Sequence, residues 1–198
     1  MGSNDSDGRY LASDTRSVKV VVLGPFGVGK TTLVGAVSEI RPASTEEHMT
    51  QAGELVDDLH GLKDKETTTV ALDFGRITLG PDIVLYLFGA PGQKRFSRMV
   101  DNLMIGALGG VALVDTARVT ESWDAIGRLE AAGLPYVVAV NPRTGSPAYS
   151  REYLRTALDL DDATPLVVGD VRERQSAKGA LVALVKHLLS RPSLEPAP

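Results

Sequence analysis

Short apolar runs alternate along the chain with longer stretches in which apolar residues recur at helical spacing. Most of these runs are continuously apolar, which is typical of strands that are covered on both faces of a parallel sheet. They predict strands over Val18–Leu23, Val70–Leu79, Ile83–Phe88, Val111–Val114, Tyr136–Val140 and Leu166–Val168. The stretches between them predict helices over Thr31–Ile40, Ser97–Ala107, Thr120–Ala132, Ser150–Leu160 and Ser176–Leu189.

The alternation of strands and helices predicts a doubly wound α/β sheet with helices on both faces. Only residues 80–82 separate the second and third strands, so this pair is predicted to form an antiparallel hairpin in an otherwise parallel sheet. In the second strand, Arg76 and Thr78 alternate with Ile77 and Leu79, and this alternation indicates an edge strand.

The length of 198 residues suits one domain with tails. We expect flexible tails over 1–16 and 191–198, around a domain over 17–190. The first six residues, from Met1 to Ser6, fit the N-myristoylation template at Gly2. A disordered polar tail or a cloning scar is the alternative explanation for that segment.

Composition excludes several classes of function. The chain has 21 basic and 25 acidic residues and a net charge of -4, so no overall positive field attracts nucleic acid. It has no cysteine, which excludes disulfides, thiolate metal sites, prenylation and palmitoylation. No apolar run approaches the roughly 20 residues of a membrane span. We therefore expect a cytoplasmic protein with no nucleic-acid partner and no membrane span.

The segment from Gly24 to Thr31 reads GPFGVGKT and matches the phosphate-binding pattern GxxxxGK[ST] at every fixed position. It follows an apolar strand and precedes a helix, where backbone N–H groups and the positive end of the helix face an anion. Lys30 is predicted to reach the β- and γ-phosphates, and the Thr31 hydroxyl to bind Mg²⁺. The predicted phosphate contacts come from Gly24, Phe26, Gly27, Val28, Gly29, Lys30, Thr31 and Thr32.

Three further segments, TTTVALDFGRI, LYLFGAPGQKRF and VALVDTA, narrow the prediction. With the phosphate loop, they resemble the bacterial Ras-like small GTPases of the conservon type, which are relatives of the MglA and Arf-like GTPases. The resemblance covers about residues 17–190. It implies the small-GTPase P-loop fold with GTP/GDP as the ligand, Mg²⁺ as the cofactor, and a switch that hydrolyses GTP slowly.

The same resemblance implies roles for several residues. Gly92 would sense the γ-phosphate, and Gln93 would orient the attacking water. Thr69 would bind Mg²⁺ together with Thr31. Apart from the resemblance, the positive charge of Arg95 predicts that it stabilises the charge that develops on the phosphoryl oxygens, as a built-in arginine finger. Roadblock-type proteins and sensor kinases are the implied partners, through which the protein would reach a peripheral position at the membrane.

The chain departs from the small-GTPase pattern at three points. Gly89 stands where an aspartate usually anchors Mg²⁺, so the metal would depend on Thr31, Thr69 and phosphate oxygens. Phe26 crowds the catalytic space, which predicts slow turnover. Thr144 replaces the aspartate that reads guanine, which predicts weak guanine selectivity because about two charge-assisted hydrogen bonds are lost.

The base side of the site is predicted from the loops that follow the fifth and sixth strands. Asn141 occupies the place of the asparagine in the base-reading motif, with Arg143 nearby. The alternative is that Asn141 merely caps a turn before Pro142. Asp170 and Val171 follow the sixth strand, and Asp170 is one candidate for the missing carboxylate. The Ser-Ala-Lys sequence at residues 176–178 lies inside the predicted last helix, so it is not expected to contact the base.

Two other functions remain open from the sequence. A nucleotide-binding scaffold with negligible hydrolysis is compatible with Gly89 and Phe26, although Gln93 argues against it. An ATP-dependent small-molecule kinase would also carry the GxxxxGKT pattern, but the chain shows no clear arginine-bearing lid.

Overall fold

The computed structural model describes residues 15–41, 43–49, 68–143 and 145–191. Within these ranges the strands are β1 Arg16–Leu23, β2 Ala43–Met49, β3 Thr68–Leu79, β4 Ile83–Gly89, β5 Gly109–Val114, β6 Tyr136–Val140 and β7 Leu166–Val168. The α-helices are α1 Lys30–Val37, α2 Ser97–Met104, α3 Trp123–Ala131, α4 Arg151–Ala157 and α5 Arg174–Ser190. Two 3₁₀ segments, Lys94–Phe96 and Thr116–Ser122, precede α2 and α3.

The strands form one sheet in the order β2-β3-β4-β1-β5-β6-β7. All pairs from β4 to β7 are parallel, whereas β3 runs antiparallel to both of its neighbours. The predicted fold class, a mixed P-loop NTPase sheet with helices around it, is confirmed. The loops that follow β1, β4, β5, β6 and β7 therefore gather at one edge of the sheet, where ligands of such folds bind.

The second predicted strand is antiparallel as expected, but it does not lie at the edge of the sheet. Strand β2 pairs with it from Ala43 opposite Phe74 to Met49 opposite Thr68. The sequence of β2 is polar and mixed, so it gives no apolar or alternating signal. Backbone hydrogen bonds can pair an outer strand with its neighbour without any apolar pattern in its sequence, which is why hydrophobic spacing did not predict β2.

The two faces of the sheet carry separate hydrophobic cores. Along β1, Val20 and Val22 point into the core beneath α1 and α5. Val21 and Leu23 point into the core beneath α2, α3 and α4. Because successive side chains of a strand point to opposite faces, a continuous apolar run serves both cores at once.

Helix boundaries differ from the predictions by a few residues at most ends. Before α3, the predicted helix over Thr120–Ala132 begins instead as part of the 3₁₀ segment. Among the described residues, no helix is both long and apolar enough to cross a bilayer. The Gly2 template, Thr144 and most of both predicted tails lie outside the described residues.

Candidate nucleotide-binding site

The phosphate loop joins β1 to α1 at the carboxyl edge of the sheet. Gly29 is the residue before the first helical turn and has a φ of 112°, a conformation that side-chain-bearing residues rarely adopt. A Cβ atom there would lie 2.9 Å from Asn141 Nδ2 and 3.0 Å from Val171 Cγ2. The GxxxxGK pattern therefore folds as predicted and packs against the loops that follow β6 and β7.

The Lys30 side chain lies inside the loop and is only 8% exposed. Its ammonium donates hydrogen bonds to the carbonyl oxygens of Gly24, at 2.9 Å, and Pro25, at 2.8 Å. Burial lowers the pKa of Lys30 from 10.5 to about 8, although the negative charge of Asp73 raises it in part. An anion placed in the loop would favour the charged form of this lysine.

A buried carboxylate lies beside the phosphate loop. Asp73 is 6% exposed, and its Oδ2 atom accepts a 2.7 Å hydrogen bond from the Thr31 hydroxyl. Asp73 stands directly opposite Gly89 in the β3–β4 pairing. A Cβ atom on Gly89 would lie 2.9 Å from that same Oδ2 atom. Asp73 thus fills the space of the aspartate that is missing at Gly89, and no sequence motif predicts this position.

The loop after β4 packs directly on the phosphate loop. A Cβ atom on Gly92 would lie 2.6 Å from the Phe26 nitrogen and 2.8 Å from Lys30 Nζ, so only glycine fits this approach. Gln93 follows and lines a cavity of about 600 Å³ with Phe26 and Glu121. The structure therefore brings Gly92 and Gln93 together with the phosphate loop.

Two other predicted residues are not brought to the phosphate loop. The Arg95 guanidinium stacks on the Phe96 ring, 5.0 Å from its centroid. Thr69 lies on β3 opposite His48. Because a strand rises about 3.3 Å per residue, Thr69 is roughly 13 Å along β3 from Asp73. The Thr69 backbone is therefore several residues along β3 from Asp73, the residue that accepts the Thr31 hydrogen bond.

Asn141 links the phosphate loop to the opposite side of the site. Its side chain is buried, and its Nδ2 donates a 2.9 Å hydrogen bond to the Val28 carbonyl. Its Oδ1 accepts a 3.2 Å hydrogen bond from the backbone nitrogen of Val171. Asn141 therefore joins three loops, which is more than capping a turn before Pro142.

The predicted base-side charges already have partners. Arg143 Nε lies 3.6 Å from Asp115 Oδ2. Asp170 is held by Arg172, whose Nη2 lies 2.6 Å from its Oδ2, and these hydrogen bonds lower the pKa of Asp170. Ser176 lies inside α5, as predicted, and packs against Gly169.

Comparison with known proteins gives a different family from the one that the sequence motifs suggested. Residues 22–191 match the family model described as conserved hypothetical ATP binding protein. The uncharacterized protein MJ1339 of Methanocaldococcus jannaschii is 32% identical over 126 residues, which cover 63% of this chain and 69% of that protein.

The assignment to the conservon-type Ras-like GTPases related to MglA and Arf is therefore wrong, and the partners implied by that resemblance lose their basis. The segments that carried it are short. They meet needs that many P-loop sites share, namely a phosphate cradle and a glycine beside the terminal phosphate. Motif, fold and family model all identify a nucleotide-binding protein. The chain belongs to the family of conserved hypothetical ATP-binding proteins.

Proposed function

We propose that the protein is a slow nucleoside triphosphatase that switches between triphosphate-bound and diphosphate-bound states, with GTP and GDP as the preferred pair. The observation that carries this proposal is the contact between Gly92 and the phosphate loop. The backbone of Gly92 lies against Phe26 and the ammonium of Lys30, so a terminal phosphate held by Lys30 would touch the loop after β4. Binding of the triphosphate would thereby be communicated to Gln93 and α2.

The oxygen atoms beside the phosphate loop fit a Mg²⁺ ion. Thr31 Oγ1 and Asp73 Oδ2 lie 2.7 Å apart, and hydroxyl and carboxylate oxygens are ligands that Mg²⁺ prefers. We infer that Thr31 and Asp73 hold the ion together with phosphate oxygens. When bound, Mg²⁺ neutralises the charge on the β- and γ-phosphates. Thr69 stays a prediction from the sequence.

Hydrolysis would proceed by attack of one water on the γ-phosphorus. A bond forms from the water oxygen to phosphorus, and the bond from phosphorus to the β–γ bridging oxygen breaks. One proton of the water passes to a phosphate oxygen, giving the diphosphate and inorganic phosphate. Gln93 would orient the water, because its amide both donates and accepts hydrogen bonds. Lys30 would hold the phosphate oxygens and stabilise the charge that shifts to the leaving diphosphate.

Slow turnover follows from the surroundings of Gln93. Phe26 is 67% exposed and lines the same cavity as Gln93, so its ring competes with water and with any approaching catalytic group. A nucleotide-binding scaffold with negligible hydrolysis is the corresponding alternative outcome.

The choice of base is the finest part of the proposal. Asn141 uses one amide hydrogen for Val28 and has a second available for the N7 atom of a purine. Because both purines carry N7, this contact supports purine binding more strongly than it supports guanine. ATP is therefore the second candidate ligand, and the description of the matching family favours it.

The test combines identification of the co-purifying nucleotide with competition of GDP against ADP and with single-turnover hydrolysis. We expect purine nucleotide in the purified protein, a measurable preference for GDP, and Mg²⁺-dependent phosphate release that is slower than about 1 per minute, well below typical enzyme rates. A preference for ADP transfers the proposal to adenine nucleotides. Absence of any triphosphate turnover above that of a Lys30→Ala control replaces the switch with the scaffold.

A further inference from the structure

An arginine that belongs to no sequence motif lies against the outside of the phosphate loop. Arg118 belongs to the 3₁₀ segment that follows β5, and this segment comes close because β5 is the neighbour of β1. Its Nη2 atom donates to the Phe26 carbonyl at 3.4 Å and to Asp115 Oδ2 at 3.3 Å. Its Nη1 atom donates to Glu121 Oε2 at 2.9 Å.

Phe26 has contacts on both sides of its backbone. On its amide side, Phe26 packs against Gly92, and a Cβ atom on Gly92 would lie 2.8 Å from Lys30 Nζ. On its carbonyl side, Phe26 receives the hydrogen bond from Arg118. Phe26 therefore contacts the Arg118 guanidinium through its carbonyl and faces the loop after β4 through its amide.

The partners of Arg118 differ in how firmly they hold it. The Asp115 side chain is 3% exposed and stays fixed at the end of β5, whereas the Glu121 side chain is 47% exposed. An exposed ion pair contributes little stability, so replacing Glu121 by a phosphate oxygen costs little. The contacts above occupy three of the five N–H donors of the guanidinium, and the other two have no partner among the described residues.

Glu121 also lines the cavity that contains Gln93 and Phe26. Release of Arg118 from Glu121 would thus free the guanidinium at the border of the space where the proposed hydrolysis occurs. Arg95, the arginine that the sequence suggested for this task, is instead stacked on Phe96.

We propose that the Arg118 guanidinium contacts the γ-phosphate of the bound triphosphate. Its Nη1 atom would leave Glu121, and its Nη2 atom would keep the hydrogen bond to Asp115. With Nη2 held by Phe26 and Asp115, the two N–H groups of Nη1 are left for phosphate oxygens once Glu121 is released, and a charged guanidinium makes strong hydrogen bonds to such oxygens. The inference rests on the proposed triphosphate binding and makes Arg118 a sensor of the terminal phosphate. It would distinguish triphosphate from diphosphate by direct contact.

The experiment measures dissociation constants for a non-hydrolysable triphosphate and for the diphosphate with the same base. Arg118→Ala should weaken triphosphate binding about tenfold or more, as expected when a charge-assisted hydrogen bond is lost, and diphosphate binding less than about threefold. Glu121→Gln should leave triphosphate binding unchanged or tighten it, because it weakens the competing partner. Arg76→Ala is the matched control, since it also breaks an arginine–glutamate pair, but one that joins β3 to the residue Glu39 after α1.

Equal losses for both nucleotides in Arg118→Ala would overturn the proposal and reduce Arg118 to a clamp on Phe26. Unchanged affinity for both nucleotides would overturn it as well. Circular dichroism and urea unfolding identify a variant that fails to fold. In that case Arg118→Lys, which keeps the charge but lacks the guanidinium, is used to measure the same ratio of triphosphate to diphosphate dissociation constants. Failure of the wild-type protein to bind either nucleotide would contradict the proposed function itself, which makes the two failures distinguishable.

Discussion

The carboxylate of Asp73 offers the sharpest test of how this site holds a metal. Asp73→Asn keeps the shape of the side chain and removes its charge. The hydrogen bond that Thr31 now donates to Asp73 Oδ2, at 2.7 Å, is made to a charged acceptor. Hydrogen bonds to charged groups contribute about 1.5–3 kcal/mol. We expect the free energy of Mg²⁺ binding to fall by a comparable amount when the charge of Asp73 is removed.

The loss of about 1.5–3 kcal/mol corresponds to a roughly 10- to 150-fold increase in the Mg²⁺ concentration that gives half-maximal nucleotide binding, at 1.4 kcal/mol for each factor of ten. In EDTA the expected direction is reversed. Without metal, Asp73 repels the phosphates, so Asp73→Asn should bind nucleotide as well as wild type or more tightly. Titration of a fluorescent nucleotide at fixed and at zero Mg²⁺ measures both quantities.

Two further variants make the test specific. Asp82→Asn makes the same chemical change on the exposed turn between β3 and β4 and should alter neither titration. In a double variant with Asp73→Gly and Gly89→Asp, the carboxylate moves to the facing strand, where the atoms that now block a Cβ all belong to Asp73. This variant should recover most of the lost Mg²⁺ dependence. An Asp73→Asn protein with wild-type Mg²⁺ dependence would refute the reasoning, whatever the double variant does.

Three other predictions follow from the site. Gln93→Leu should keep nucleotide affinity and lose turnover by roughly 10²-fold, as for other groups that stabilise the transition state, in single-turnover hydrolysis. Gly92→Ala should destabilise the protein by about 1–3 kcal/mol in urea unfolding, because its Cβ would lie 2.6 Å from the Phe26 nitrogen, whereas Gly127→Ala meets no atom within 4 Å and should be neutral or stabilising. Because the pKa of Lys30 falls to about 8, nucleotide affinity measured by calorimetry should decline as pH rises through 8, where the lysine loses its charge. The free protein should gain stability in urea unfolding between pH 8 and 10.5, because the unfolded chain still binds the proton that the folded one has lost.

The parts of the site that the sequence predicts are those fixed by local geometry. The phosphate loop needs only consecutive residues and the start of a helix, so its motif is sufficient to predict its conformation. The hairpin at residues 80–82 is also local, and it is present as an antiparallel β3–β4 pair. The central strands were predicted for the same reason, because a continuous apolar run by itself indicates a strand that is buried on both faces.

The parts that the sequence does not predict depend on which strands become neighbours. Asp73 is one acidic residue in the run VALDFG, and its role appears only when the β3–β4 register places it opposite Gly89. Arg118 reaches the phosphate loop only because β5 lies next to β1. Strand β2 has no apolar pattern, and only pairing with β3 defines it. A buried aspartate in an apolar strand was the one available signal, because such a charge needs a partner.

A carboxylate on β3 has a mechanical consequence that one on β4 would lack. Strand β4 is fixed between β1 and β3, whereas β3 is joined to the rest of the sheet only through β4 and carries β2 on its other side. If β3 shifted by two residues relative to β4, Ala71 or Gly75 would stand opposite Gly89, and neither can bind a metal. A shift by one residue would turn Asp73 to the other face of the sheet. The proposed metal site needs this one register of β3, so binding of Mg²⁺ and nucleotide should stabilise the register. By linkage, a partner that moves β2 and β3 should weaken metal binding by the same coupling free energy.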